Sequence, residues 1–168
     1  MTHLIREISI KDVENFISLL SQIYDESEFT FYNPGEYSPT ISSASQHLEK
    51  YITSPTKAIY VAESDEQLVG YVFVNTETYE RTQHEAVEYL GVREYYQHQG
   101  IGQALINRIE AWALNHHIRR IEATVVTENI NAIELFKGMG FQIEGELKDK
   151  LFINQKYYNE YVMAKILN

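Results

Sequence analysis

The chain has 168 residues, 44% hydrophobic content and no cysteine, enough for one domain with a sizeable core but excluding disulfides, thiolate metal sites and a cysteine acyl-enzyme. Its formal charge of −10 argues against a nucleic acid partner, which needs clustered Lys and Arg, and leaves either a merely solvated surface or a field favouring cationic substrates. No apolar run approaches the roughly 20 residues that span a bilayer, and charges interrupt residues 1–12, unlike a signal peptide, so a soluble cytoplasmic protein without a membrane partner is expected.

In chain order, residues 4–8 read as a strand, followed by a helix with Val13, Phe16, Ile17, Leu20, Ile23 and Tyr24 at helical spacing, capped by Ser9 or Asp12. Residues 32–45, with Pro34, Gly35, Pro39 and a serine cluster, read as a connection to a second helix over 44–52. Strands over 58–63 and 68–75 form a hairpin around Ser64-Asp65-Glu66-Gln67, and a fourth strand covers 84–92. A glycine turn then opens an amphipathic helix over 103–113, which aligns Leu105, Ile106, Ile109, Trp112 and Ala113 with Ile101 on one face. A fifth strand at 121–126, a short helix after Asn129 closed by glycine, and strands near 140–148 and 157–166 complete a mixed α/β sheet. There is no internal repeat and no linker long enough to divide the chain, so residues 1–168 are expected to be a single domain.

The glycine turn carries the chemistry. Gln97-His98-Gln99-Gly100-Ile101-Gly102 stands between a strand and a helix, where glycine backbone and the unpaired N–H groups of a helix's first turn make an anion site. A P-loop would need Gly-Lys-Ser or Gly-Lys-Thr where Gly102-Gln103-Ala104 stands, and a dinucleotide fingerprint would need a third glycine where Leu105 stands.

With the downstream residues, the chain resembles the GNAT superfamily of acetyl-CoA-dependent N-acetyltransferases. The resemblance rests on Gln97-x-x-Gly100-x-Gly102, on Asn129-x-x-Ala132-Ile133-x-Leu135 running into Gly140-Phe141, and on Tyr157-x-Asn159-Glu160-x-x-Met163. It implies a single mostly antiparallel sheet of about seven strands with about four helices, in which strands four and five splay apart. It also implies acetyl-CoA as co-substrate, with its pantetheine arm along Leu90, Gly91 and Val92. The pyrophosphate would lie at Gln97, His98 and the N–H groups of Gln99, Gly100, Ile101, Gly102 and Gln103. Asn129 matches an asparagine that reaches the cofactor's amide arm, although it equally suits a helix cap. The family leaves room for a homodimer.

The expected reaction moves acetyl to a primary amine, whether small amine, polyamine, amino acid or peptide N-terminus. An amine with a pKa near 10.4 is neutral in only about one molecule in a thousand at pH 7, so a proton acceptor is needed. Glu88, alternating with Leu90 and Val92, is the first candidate base, its alternative being a solvent-facing strand carboxylate. Glu85, Glu26 and Glu28 are weaker ones. At the family's frequent tyrosine position, grouped here with the cofactor contacts, stands Phe136, which cannot donate a proton. Tyr96, Tyr157 and Tyr158 remain as substitutes, with Tyr157 retained as candidate acid among 13 tyrosines. Glu26, Glu28 and Phe31 follow the first helix, where the family forms an acceptor wall. His84, His98 and His116-His117 lack metal-ligand spacing, and no metal is expected. The absent tyrosine also motivates an alternative, an acyl-CoA sensor without turnover.

Overall fold

The computed structural model describes residues 3–168. Its elements follow the order β1 (Leu4–Glu7), a 3-10 turn (Ile10–Asp12), α1 (Val13–Glu26), α2 (Ile41–Thr53), β2 (Lys57–Ser64), β3 (Gln67–Thr76), β4 (Glu85–Val92), α3 (Ile101–Asn115), β5 (Arg120–Val126), α4 (Ile130–Gly138), β6 (Gln142–Ile153) and β7 (Lys156–Ile166). Seven strands form one sheet in the order β1-β2-β3-β4-β5-β7-β6, antiparallel except for the β4–β5 pair. Among the described residues no helix is long and apolar enough to cross a membrane.

Strand alternation divides the core between two faces. Ala58, Tyr60 and Ala62 of β2 and Val72 and Val74 of β3 meet α3 and α4, while Ile59, Val61, Tyr71 and Phe73 meet α1 and α2. The register passes from Leu68 to Gly70 opposite Glu63 and Ala62, so Val69 is an inserted residue whose side chain joins the α3 face. On α3, Leu105, Ile106 and Ile109 are fully buried. Each contributes about 2 kcal/mol of apolar burial, which fixes the helix beneath β3 and β4 and with it the position of its N-terminus.

Three departures from sequence expectation have local causes. Ser9 caps the 3-10 turn rather than α1, in a box where the Asp12 carboxylate accepts the Ser9 N–H at 2.8 Å while also taking two hydrogen bonds from Arg6. Helix α2 begins at Ile41 because Thr40 accepts the Ser43 N–H at 3.0 Å, so serines that read as loop lie in a capped first turn. Strand β6 runs to Ile153 and turns at Asn154-Gln155, both at positive φ (49° and 63°), the same backbone as Asp65-Glu66 (49° and 64°). Without a glycine, that second hairpin leaves little trace in the sequence.

Candidate active site

The turn between β4 and α3 is built as an anion nest. His98 and Gly100 take positive φ (60° and 83°), two residues apart, and α3 starts directly after. None of the backbone N–H groups of residues 98–103 has an acceptor among the described residues, and the first one used is that of Ala104, which donates to Gly100 O at 3.0 Å. Alternating left-handed residues and a helix N-terminus turn such donors toward one concavity, with the positive end of the helix dipole behind them.

The two glycines do different work there. A Cβ at Gly100 would meet nothing within 4 Å, so its role is the left-handed backbone. A Cβ at Gly102 would lie 2.8 Å from Leu135 Cδ2, so its role includes the close packing of α3 on α4. Gln97 holds the loop instead of reaching outward, its side-chain amide donating to Val92 O at 3.1 Å; Gln99 likewise donates to Tyr95 O at 3.0 Å. For these two residues the side chains set the nest's shape while the backbone supplies its donors.

Beside the nest the sheet forks. Residues Glu85, Ala86 and Val87 of β4 pair with Arg120, Ile121 and Glu122 of β5, and the pairing ends there, while β4 continues with β3 as far as Val92. The Arg93 N–H donates to Val69 O in β3 at 2.9 Å, so by alternation the N–H and C=O of Leu90 and Val92 point away from β3 into the fork. Gly91 is at the opposite phase. A Cβ there would fall 2.5 Å from Tyr71 Cε1, and the Tyr71 ring is itself packed by Phe16 and Phe73, so this glycine makes room for a core ring on the α1 face.

Glu88 is the first β4 residue beyond the last β5 pair, and its side chain faces α3. It is 2% exposed, and neither carboxyl oxygen has a hydrogen-bond partner among the described residues, which removes the solvent-facing alternative. Burial pushes its pKa up to about 8; Glu110 of α3 adds to the rise and Lys165 of β7 opposes it. Those two groups are themselves paired, Lys165 Nζ to Glu110 Oε1 at 2.7 Å. The carboxyl therefore lies beneath the fork and is mostly protonated at neutral pH.

The acceptor-side candidates separate. Glu26 is consumed: its carboxylate accepts Arg93 Nε at 2.7 Å and the Glu94 N–H at 2.9 Å, so it is an anchor rather than a free wall carboxylate. Glu28 is exposed, and Phe31 is 81% exposed with its ring edge-on to Tyr32. The contact that joins this segment to the late strands is Phe29 with Tyr158, ring centroids 5.8 Å apart. Tyr157, on the alternate face near the hairpin tip, lies against Phe152 at 4.8 Å and is largely exposed, which favours Tyr158 over Tyr157 as the phenol beside the wall.

Phe136 is 5% exposed and packs edge-on against Phe141 at 5.0 Å, within the core on the α3 and α4 face. Asn129 caps α4, its side chain accepting the Ala132 N–H at 3.3 Å, which leaves its amide NH₂ to contact a ligand. Asn159 receives the Asp149 N–H at 2.8 Å and donates to Glu146 at 3.1 Å, filling the irregularity between Leu147 and Leu151 in the β6–β7 pair. Sequence reasoning missed Arg93, Glu110 and Lys165. The only trace of the last two is that a glutamate on the inner flank of α3 and a lysine in an apolar strand stand where apolar residues are usual.

The profile of the acetyltransferase (GNAT) domain family matches residues 5–162. The chain is similar to the L-amino acid N-acetyltransferase AaaT of Escherichia coli (strain K12), 31% identical over 107 residues, 63% of this chain and 66% of that protein. It thus spans just under two thirds of the length of that curated relative. An acetyltransferase of the GNAT family from Streptococcus pneumoniae superposes with a TM-score of 0.93 at 26% identity, covering 99% of this chain and 100% of that one. The Salmonella typhimurium protein yncA, solved with its cofactor acetyl-CoA, superposes with a TM-score of 0.87, covering 100% and 95%; at 14% identity that likeness is of fold alone.

Proposed function

The protein belongs to the GNAT acetyltransferase family, and from that premise we propose that it transfers acetyl from acetyl-CoA directly to a primary amine in a ternary complex. The observation that carries this reading is the row of unpaired N–H groups at residues 98–103 beside an open strand fork. These donors fit a diphosphate, and the outward backbone groups of Leu90 fit an amide-bearing arm laid along β4 as an added strand. Bound acetyl-CoA would supply the activated thioester acyl group.

The chain's own residues then have separable tasks. The Val92 N–H, aimed into the fork, is placed to stabilise a developing oxyanion. Glu88 takes the amine proton, its side chain reaching the fork directly or through one water. With a pKa of about 8 it is ionised in about one molecule in ten at pH 7, but each ionised carboxylate is a correspondingly stronger base. No general acid is required, because a thiol with a pKa near 8.5 departs as thiolate with little help. This accommodates Phe136.

For the acceptor we propose a small amine of amino-acid type. The named activity of the Escherichia coli relative supports this. The test is release of free CoA thiol from acetyl-CoA with a panel of L-amino acids, polyamines and N-terminal peptides. Thiol release with amino acids ahead of polyamines and peptides is expected. Micromolar acetyl-CoA binding with no thiol release from any amine would replace this reading with an acyl-CoA sensor.

A further inference from the structure

Glu88 is a buried carboxyl with no hydrogen-bond partner among the described residues, and an ion pair with no task in the transfer itself lies on the same side of the sheet. The pair joins α3 to β7: Lys165 Nζ donates to Glu110 Oε1 at 2.7 Å, with the two side chains only 26% and 17% exposed. Strand register places it near Glu88. Ala86 pairs with Ile121 and Ile121 with Lys165, so these three form one row across β4, β5 and β7, and Glu88 is the next β4 residue on that face. At about 4.8 Å per strand the Lys165 Cα lies about 10 Å from β4, a gap narrowed by the lysine stem and by a glutamate from the helix above. Gly140 makes room for the lysine, since a Cβ there would come within 3.2 Å of Lys165 Cε.

The other neighbours of Glu88 are apolar or phenolic. On this face β3 presents Val72 and Val74, β5 presents Ile121 and Ala123, and β7 presents Met163 and the Tyr161 phenol. Arg108 of α3 is turned away onto the Tyr60 ring, 5.1 Å from its centroid. That leaves one anion and one cation facing Glu88, with opposite effects on it. An apolar pair would join α3 to β7 at least as well, because two charges withdrawn from water regain little net stability. We propose that Lys165 and Glu110 are positioning residues that act through Glu88: the cation favours its ionised form, the anion its protonated form, and their balance sets the pH at which the amine's proton is accepted. The inference rests on the reading of Glu88 as base given above. Neither residue touches the reacting atoms.

The test follows the Glu88 carboxyl directly, by its carboxyl-carbon resonance across pH in the free protein, with the signal assigned by its absence in Glu88→Gln. Lys165→Met keeps the stem over Gly140 but removes the cation, and should raise the titration midpoint by about one pH unit. Glu110→Gln removes the anion and should lower the midpoint by about as much, and the double variant should return close to the wild type. The inflection in thiol release with a saturating L-amino acid should move with the midpoint in each protein. A purely structural pair would behave otherwise: both single variants break the same contact and admit the same water, so both would shift one way. If Lys165→Met does not fold, Lys165→Gln carries the same expectation. Single-variant midpoints that move in the same direction, or not at all, overturn the proposal. Opposite midpoint shifts that the thiol-release inflection does not follow would instead overturn Glu88 as the base.

Discussion

Replacing Gly100 with aspartate is expected to weaken acetyl-CoA binding by at least about 100-fold, or about 2.7 kcal/mol, while leaving the fold intact. A Cβ at this position meets nothing within 4 Å, and aspartate tolerates the left-handed backbone at φ 83° better than most residues, so the steric cost is about 1 kcal/mol. What changes is charge. The new carboxylate stands among the free N–H donors of residues 98–103, where it competes for them and repels a diphosphate. A single pair of like charges at 4 Å costs about 4 kcal/mol near a protein surface, so even half of that accounts for the predicted loss. Gly100→Ala separates strain from charge and should stay within about ten-fold of the wild type. Calorimetric titration with acetyl-CoA and a thermal melt check both halves of the expectation. Unchanged affinity in Gly100→Asp would mean that the anion is bound elsewhere.

Glu88→Gln should raise stability and lower turnover together. The carboxyl's pKa is raised from 4.5 to about 8 in the folded chain, so between those pH values the folded state holds a proton that the unfolded state has lost. Stability therefore falls with rising pH across that window, and the penalty levels off above pH 8. At pH 7 it amounts to about 3 kcal/mol. Glutamine keeps the shape without the titration, so the variant should match the wild type below pH 4.5 and exceed it by about that amount at pH 7, as read by denaturant unfolding across pH. Turnover with a saturating amine should lose the inflection near pH 8. If stability shifts but the inflection persists, Glu88 is a buried structural acid and another group takes the proton. The gain in stability at the cost of rate is the trade expected at a site whose environment is strained for chemistry.

The sequence made the β4–turn–α3 unit legible because its signals are local: a strand pattern, glycine punctuation and a 3.6-residue apolar stripe lie within 30 residues. It did not reveal what each glycine is for. Gly91 and Gly102 are small because of the Tyr71 ring and the Leu135 methyl, contacts from β3 and α4 that no spacing rule encodes. Glu26 was legible as a residue near the acceptor segment but not as an anchor, since its partner lies 67 residues away in Arg93. Glu88 was legible as a strand carboxylate on the apolar phase. Its burial followed only once α3, carrying Glu110, and β7, carrying Lys165, were folded against it. Strand β6 and its second hairpin were shortened because Asn154-Gln155 makes its turn without glycine, and because Asn159 supplies from another strand the acceptor that the Asp149 N–H lacks in the ladder.

Backbone amide chemical shifts followed during titration with CoA, and with pantetheine, which lacks the diphosphate, test the nest most directly. CoA should move the resonances of Gln99, Gly100, Ile101, Gly102 and Gln103 in slow exchange, as hydrogen-bond acceptors reach donors that have none among the described residues, while pantetheine leaves them in place and binds far more weakly. Equal affinity for the two ligands, or CoA bound with these five amides unmoved, would contradict the account.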